Sequence, residues 1–238
     1  MKLIRTWFKN NNIKKQGWFQ NNKKEGTHYL FWQSGKNRSV NNFLNGKLHG
    51  IQRYYFFTGQ LKKQVEYCNG TKSGIMQTYS IEGYLTLQCY FFNNKLQGEC
   101  FEFDGMTTTI KNYSGGMLNG ARRDVRAIGG TWMATDYINN KKSGDSLVFT
   151  ENGILLQHLR YKNDKLHGEC KEYHKGKIYC ISNFKEGLKH GDYIIYFPLD
   201  FEDKIQAIGR YKNNKLISWQ RYDIDGKMIE DKKPIFGV

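Results

Sequence analysis

The chain has 238 residues, 39% hydrophobic and 15% aromatic, with two prolines and a formal net charge of +15. No apolar run is long enough to span a membrane, and the opening Met1-Lys-Leu-Ile-Arg-Thr lacks the apolar stretch of a secretory signal. The five cysteines, Cys68, Cys89, Cys100, Cys170 and Cys180, form no CxxC pair. They read as reduced thiols of a cytoplasmic or otherwise intracellular protein.

In chain order one eight-residue phrase recurs about every 24 residues. It runs from Phe19 to Gly26, Phe43 to Gly50, Tyr67 to Gly74, Phe91 to Gly98 and Tyr113 to Gly120. It continues from Tyr137 to Gly144, Tyr161 to Gly168, Phe184 to Gly191 and Tyr211 to Ser218, where serine replaces the glycine. A fixed period of this size marks an array of one small supersecondary unit. Between Gly50 and Gly74, Ile51 to Tyr55 is rich in β-branched and aromatic residues, and a turn is expected at Thr58-Gly59. Leu61 to Tyr67 then alternates apolar and polar, with Leu61, Val65 and Tyr67 on one face, which is a strand signal. Asn69-Gly70 is a strong hairpin signal, because both residues accept positive φ.

The spacing predicts an all-β fold: an elongated array of β-hairpins forming a twisted, single-layer antiparallel meander. One domain, 1–238, would hold nine to ten units, with 219–238 as an atypical cap. Some 18 to 20 strands at roughly 4.8 Å each would make a sheet about 90 Å long. Two aromatic columns are expected to stack between units. One is Phe19, Phe43, Tyr67, Phe91, Tyr113, Tyr137, Tyr161, Phe184 and Tyr211. The other is Phe31, Tyr55, Tyr79, Phe103, Val125, Phe149, Tyr173 and Tyr196. The glycine column should fall at turns or under rings. A shortened loop lies at Asp104-Gly105, an insertion includes Pro198 to Phe201, and the charges and proline of Lys232-Lys-Pro234 would blunt the last edge.

The phrase Asn45-Gly-Lys-Leu-His-Gly50, repeated as Asn163-Asp-Lys-Leu-His-Gly168 and followed by an aromatic pair and a returning Tyr-x-Asn-Gly, resembles MORN repeats. The resemblance covers roughly residues 1–230. It is nearest the variant of bacterial YwqK-like antitoxin proteins and of large DNA virus proteins. It implies an antiparallel meander acting as a scaffold or binding surface, without catalytic residues.

His49, His167 and His190 each precede a repeat glycine, but equivalent positions lie about 10 Å apart, too far to share one zinc ion. Gly115-Gly116 and Gly129-Gly130 read as turns, since neither is followed by the Lys-Ser/Thr of a phosphate loop. No acid–base pair, triad, metal motif or cofactor motif rises above the repeat background, so no enzyme activity is expected.

Charge exceeds what the repeat needs. Residues 1–72 hold 14 Lys or Arg against two acids, Glu25 and Glu66, a balance of +12. Candidate residues for a polyanion or partner surface are Lys14, Lys15, Lys23, Lys24, Lys62 and Lys63, with Trp18 and Trp32 among them as stacking platforms. The leading expectation is a non-enzymatic scaffold that binds a protein partner and meets an acidic surface with its basic end, as a virion or assembly component of a large DNA virus. The alternatives are an antitoxin-like binder of a toxic protein and a peripheral binder of anionic lipid. Nucleic acid is a further candidate partner of the basic end, and the open sheet edges offer a route to homo-oligomers.

Overall fold

Each repeat folds as a hairpin whose strands pair with those of the hairpins before and after it. The computed structural model describes residues 1–127, 130–198 and 204–232. Among them are 24 strands and no helix. The chain divides into two compact units, Met1–Met117 and Leu118–Val238. Unit 1 runs as an antiparallel meander from the strand Lys2–Trp7 to Thr107–Ser114, and unit 2 from Gly120–Arg126 to Met228–Lys232. Of the expected features, Gly129, Leu199 to Phe201, Lys233 and Pro234 lie outside the described residues.

The strand count exceeds the expected 18 to 20 for a local reason. Four segments of two residues, Lys47–Leu48, Lys95–Leu96, Met117–Leu118 and Lys165–Leu166, stand apart from the strands that follow them. Each break precedes a repeat glycine held at positive φ, such as Gly50 at 73° and Gly168 at 91°. In other repeats the equivalent glycine is absorbed within a continuous strand, as Gly74 is in Thr71–Tyr79. Gly130, expected at a turn, opens the strand Gly130–Ile138.

In each unit, along one edge, hairpins close in two-residue turns with both residues left-handed. Asn69 and Gly70 have φ of 49° and 90°, and Asn163 and Asp164 have 49° and 67°. This geometry matches the right-handed twist of the flanking strands. Gly115-Gly116 is one of these turns, at 60° and 90°. Each turn also binds the repeat before it. The Gly70 N–H donates to Leu48 O at 2.8 Å, Asn94 N–H to Lys72 O at 2.9 Å, and in unit 2 Asp164 N–H to Lys142 O at 3.0 Å. Where the second turn residue is Asn or Asp its side chain returns the bond. Lys72 N–H donates to Asn94 Oδ1 at 2.8 Å, and Leu118 N–H donates to Asn140 Oδ1 at 2.7 Å. A side chain just before the repeat glycine adds another contact: Glu25 Oε2 accepts from Asn45 N–H at 2.8 Å. His49 Nδ1 and His167 Nδ1 accept from Asn69 and Glu186 N–H at 3.5 Å, while His190 Nδ1 meets Asn213 Oδ1 at 3.1 Å. The histidine column therefore cements repeat to repeat.

The core is one row along the middle of the strands. In unit 1 Gln52 pairs with Val65, Val65 with Met76, and Met76 with Cys89. Val65 is 2% exposed and Gln52 0%. Gln52 occupies the gap beside the interrupted strand, where its side chain accepts from Asn42 N–H at 2.8 Å and donates to Gly50 O at 2.9 Å. Those bonds offset the loss of water around a buried amide. The first aromatic column does not stack ring on ring at its start. His28 intervenes, edge-on to Phe19 at 5.2 Å and to Phe43 at 4.9 Å.

The expectation of five reduced thiols is corrected at one pair. Cys89 and Cys100 are joined in a disulfide, their Cα atoms 4.3 Å apart. The register Phe101↔Gln88 places these cysteines directly opposite one another on adjacent strands. Comparing only repeat-equivalent positions, such as Cys100 with Cys170, misses such a neighbour pair. Cys68 is free and exposed, and Cys170 and Cys180 are free and buried.

Candidate functional site

The opposite edge of unit 1 carries longer turns. In the first three repeats they begin at the rings of Phe8, Trp32 and Phe56. Their backbones close the turns in the same way, with N–H to O bonds of 2.8 Å to Asn12, 2.8 Å to Lys36 and 2.9 Å to Gln60. Immediately after each turn the strand register slips by one residue. Thr6 pairs with Lys15 but Trp7 with Ile13, leaving Lys14 over. Arg38 and Lys62 are the extra residues of the next two bulges. A β-bulge sharpens the local twist and re-aims a side chain. Here it places each cation over its ring: Lys14 over Phe8 at 5.7 Å, Arg38 over Trp32 at 5.0 Å and Lys62 over Phe56 at 5.4 Å.

Lys14, Arg38 and Lys62 are exposed, and none is in an ion pair among the described residues. The turns between them are tied together. Asn10 and Asn12 amides donate to Gln33 O at 3.2 and 2.8 Å, and Lys36 Nζ donates to Thr58 O at 2.8 Å. The three cations thus form a row with a fixed interval of two strands, about 10 Å.

The structure brings three of the eight candidate residues to this row, the cations Lys14 and Lys62 and the ring of Trp32. Lys63 pairs with Tyr54 in the ladder, while Lys62 is the extra residue of the bulge. Lys63 is half-buried, and burial, with the charge of Lys72, pushes its ammonium below the usual lysine range. Lys15 lines a cavity of about 150 Å³ beside His28, together with Ile4, Lys24, Asn41 and Phe43. Lys23 and Lys24 belong to the hairpin-turn edge, where the Lys23 stem lies against Gly46 and Lys24 sits 4.6 Å from the Phe43 ring. Trp18 is 44% exposed and pairs with Glu25 near that same edge. Trp32 stands on the opposite edge, half-buried beneath Arg38. The two tryptophans therefore do not form one stacking platform.

Arg38 is the functional candidate that charge clustering misses. Its signal is the repeat itself, since it stands midway between Lys14 and Lys62 just as Trp32 stands midway between Phe8 and Phe56.

A sequence profile described as a MORN repeat variant matches residues 48–69. That stretch holds the strands Gly50–Tyr55 and Leu61–Cys68 and the turn between them. No curated protein matches the chain. Among solved structures, a chain in the crystal structure of TcdB2-TccC3-Cdc42 is 12% identical over 97% of this chain, with a TM-score of 0.14. The present chain spans 18% of that chain's length. No enzyme family is found, and no group of metal-ligating side chains occurs among the described residues. No helix among them is long and apolar enough to cross a membrane.

Proposed function

We propose that this protein is a non-enzymatic interaction scaffold that binds a protein partner and presents its first three repeats to an acidic surface. The observation that carries this reading is the contrast in charge pairing between the two ends of the array. In unit 2 the exposed charges answer one another across strands. Arg160 Nε lies 3.3 Å from Asp145, and Arg210 Nε lies 3.0 Å from Asp192. The cations Lys14, Arg38 and Lys62 have no such answer among the described residues. A partner's carboxylates would supply it, at modest energy per pair and with strong selectivity for acidic surfaces. In a large DNA virus such a scaffold would serve as a virion or assembly component.

The test is purification of the tagged protein from its native source at low and high salt, beside a variant with Lys14→Glu, Arg38→Glu and Lys62→Glu. The reading expects a stoichiometric acidic protein that the wild type retains and the variant loses. Recovery of lipid or nucleic acid alone, released by salt, overturns it.

A further inference from the structure

The bulge edge of the first three repeats has a narrower meaning, which rests on the scaffold reading. We propose that Lys14, Arg38 and Lys62 form a binding site for an extended acidic polypeptide carrying a carboxylate at about every third residue.

The fold does not require a cation at these bulges. The same extra residue is Thr86 in the fourth repeat and Trp132, Leu156, Tyr179, Gln206 and Ile229 farther along. Threonine, aliphatic side chains, rings and an amide all fit the same backbone. Three consecutive cations, each over a ring six residues earlier, therefore exceed what the bulge demands. The ring contact also restrains a long flexible side chain before any ligand arrives. That lowers the ordering entropy lost on binding.

Spacing selects the ligand. The cations recur about every 10 Å. An extended chain in the polyproline II form has three residues per turn and rises about 3.1 Å per residue, so every third side chain returns to the same face about 9 Å on and meets the next cation. Single-stranded nucleic acid fits less well, because its bases need open aromatic faces. One face of Phe8, Trp32 and Phe56 is already covered by the row's own cation.

The probes are two labelled twelve-residue peptides of identical composition, four Glu among Gly and Ser, read by fluorescence anisotropy against the full chain. One has Glu at every third position and the other has Glu in a block. The spaced peptide binds more tightly than the blocked one. The triple variant Lys14→Thr, Arg38→Thr and Lys62→Thr, which uses the residue the fourth repeat carries, weakens it about tenfold. Lys15→Thr, Lys23→Thr and Lys47→Thr remove the same charge elsewhere and change binding less than about twofold. Circular dichroism checks that both triple variants stay folded. Equal binding of the two peptides, equal loss in both variants, or tighter binding of an oligothymidylate of equal charge overturns the inference. If the natural partner still co-purifies with the threonine variant, this site is refuted while the scaffold reading stands. If no protein co-purifies with the wild type, the scaffold reading itself falls.

Discussion

Asn94 tests the idea that the hairpin-turn edge joins one repeat to the next. Its φ is 66°, its N–H donates to Lys72 O at 2.9 Å, and its Oδ1 accepts from Lys72 N–H at 2.8 Å. Asn94→Gly keeps the left-handed backbone and loses one side-chain bond, a loss of about 1 kcal/mol at a wet site. Asn94→Ala loses the same bond and, unlike Asn, has no polar side chain to offset the left-handed backbone, a further loss of up to about 1 kcal/mol. The alanine variant is therefore expected to be destabilised by about 1–2 kcal/mol. Asn22 is the internal control. It has a φ of 60° in the first such turn, where no earlier repeat stands behind it. Asn22→Gly should be near neutral, and Asn22→Ala should show only the backbone term. Urea unfolding followed by far-ultraviolet circular dichroism reads the stabilities, and hydrogen exchange at the Lys72 amide reads the joint. If Asn94→Gly and Asn22→Gly are equally harmless, and Lys72 exchange is unchanged, the turns do not dock the repeats.

Two other predictions concern His28. It packs directly over Gly17, so Gly17→Ala drives a methyl into the imidazole and breaks its 2.8 Å bond to Trp18 O. Overpacking plus the lost bond gives about 2–4 kcal/mol, measured as a fall in urea midpoint; a change under about 0.5 kcal/mol refutes the packing. Burial pushes the His28 imidazole below its ordinary value, and the charge of Lys24 acts the same way, against the bond that the ring donates to Trp18 O. The folded state therefore holds the proton less tightly than the unfolded state. The stability from neutral His28 is complete above the ordinary value of about 6.5 and is lost as pH falls through the folded pKa. Melting temperature should drop between about pH 7 and pH 5, and His28→Gln should flatten that slope; an unchanged slope refutes the assignment.

The period, the hairpins and the Asn-Gly turns were legible because each needs only local chemistry. Asn69-Gly70 announces its own backbone, and both residues are left-handed. The bulges were not legible. A slip of one residue between Thr6 and Trp7 depends on the pairing partner as much as on the strand itself. The candidate surface suffered for that reason. Sequence neighbours such as Lys62 and Lys63 read as one basic patch, yet Lys62 is the extra residue of a bulge, over the Phe56 ring, and Lys63 is a half-buried ladder residue opposite Tyr54. Reading down the repeat column, from Lys14 to Arg38 to Lys62, finds what reading along the chain hides. The Cys89–Cys100 pair shows the same lesson, since adjacency across strands is a matter of register.

In unit 1 the two edges divide their duties, and that division can be tested by building. The hairpin-turn edge is bound to its neighbours at nearly every repeat, by backbone bonds and by side chains such as Glu25 and His49. A change there disturbs the array. The ring-turn edge accepts varied bulge residues on one backbone, so its side chains are free to be selected for binding. The fourth repeat has the turn without the cation. Ser80 N–H donates to Tyr84 O at 2.8 Å, as Phe56 N–H donates to Gln60 O at 2.9 Å, and Thr86 is the bulge residue. Ser80→Phe with Thr86→Lys should therefore extend the row to four cations, losing the Tyr84 N–H bond to Ser80 Oγ at 3.2 Å and the 2.9 Å hydroxyl bond between Thr78 and Thr86, about 1 kcal/mol each. A fifteen-residue peptide with Glu at every third position should bind the extended protein about threefold more tightly, while the twelve-residue block peptide gains little. If both peptides gain equally, the added lysine acts only through net charge, and the regular interval has no role in recognition.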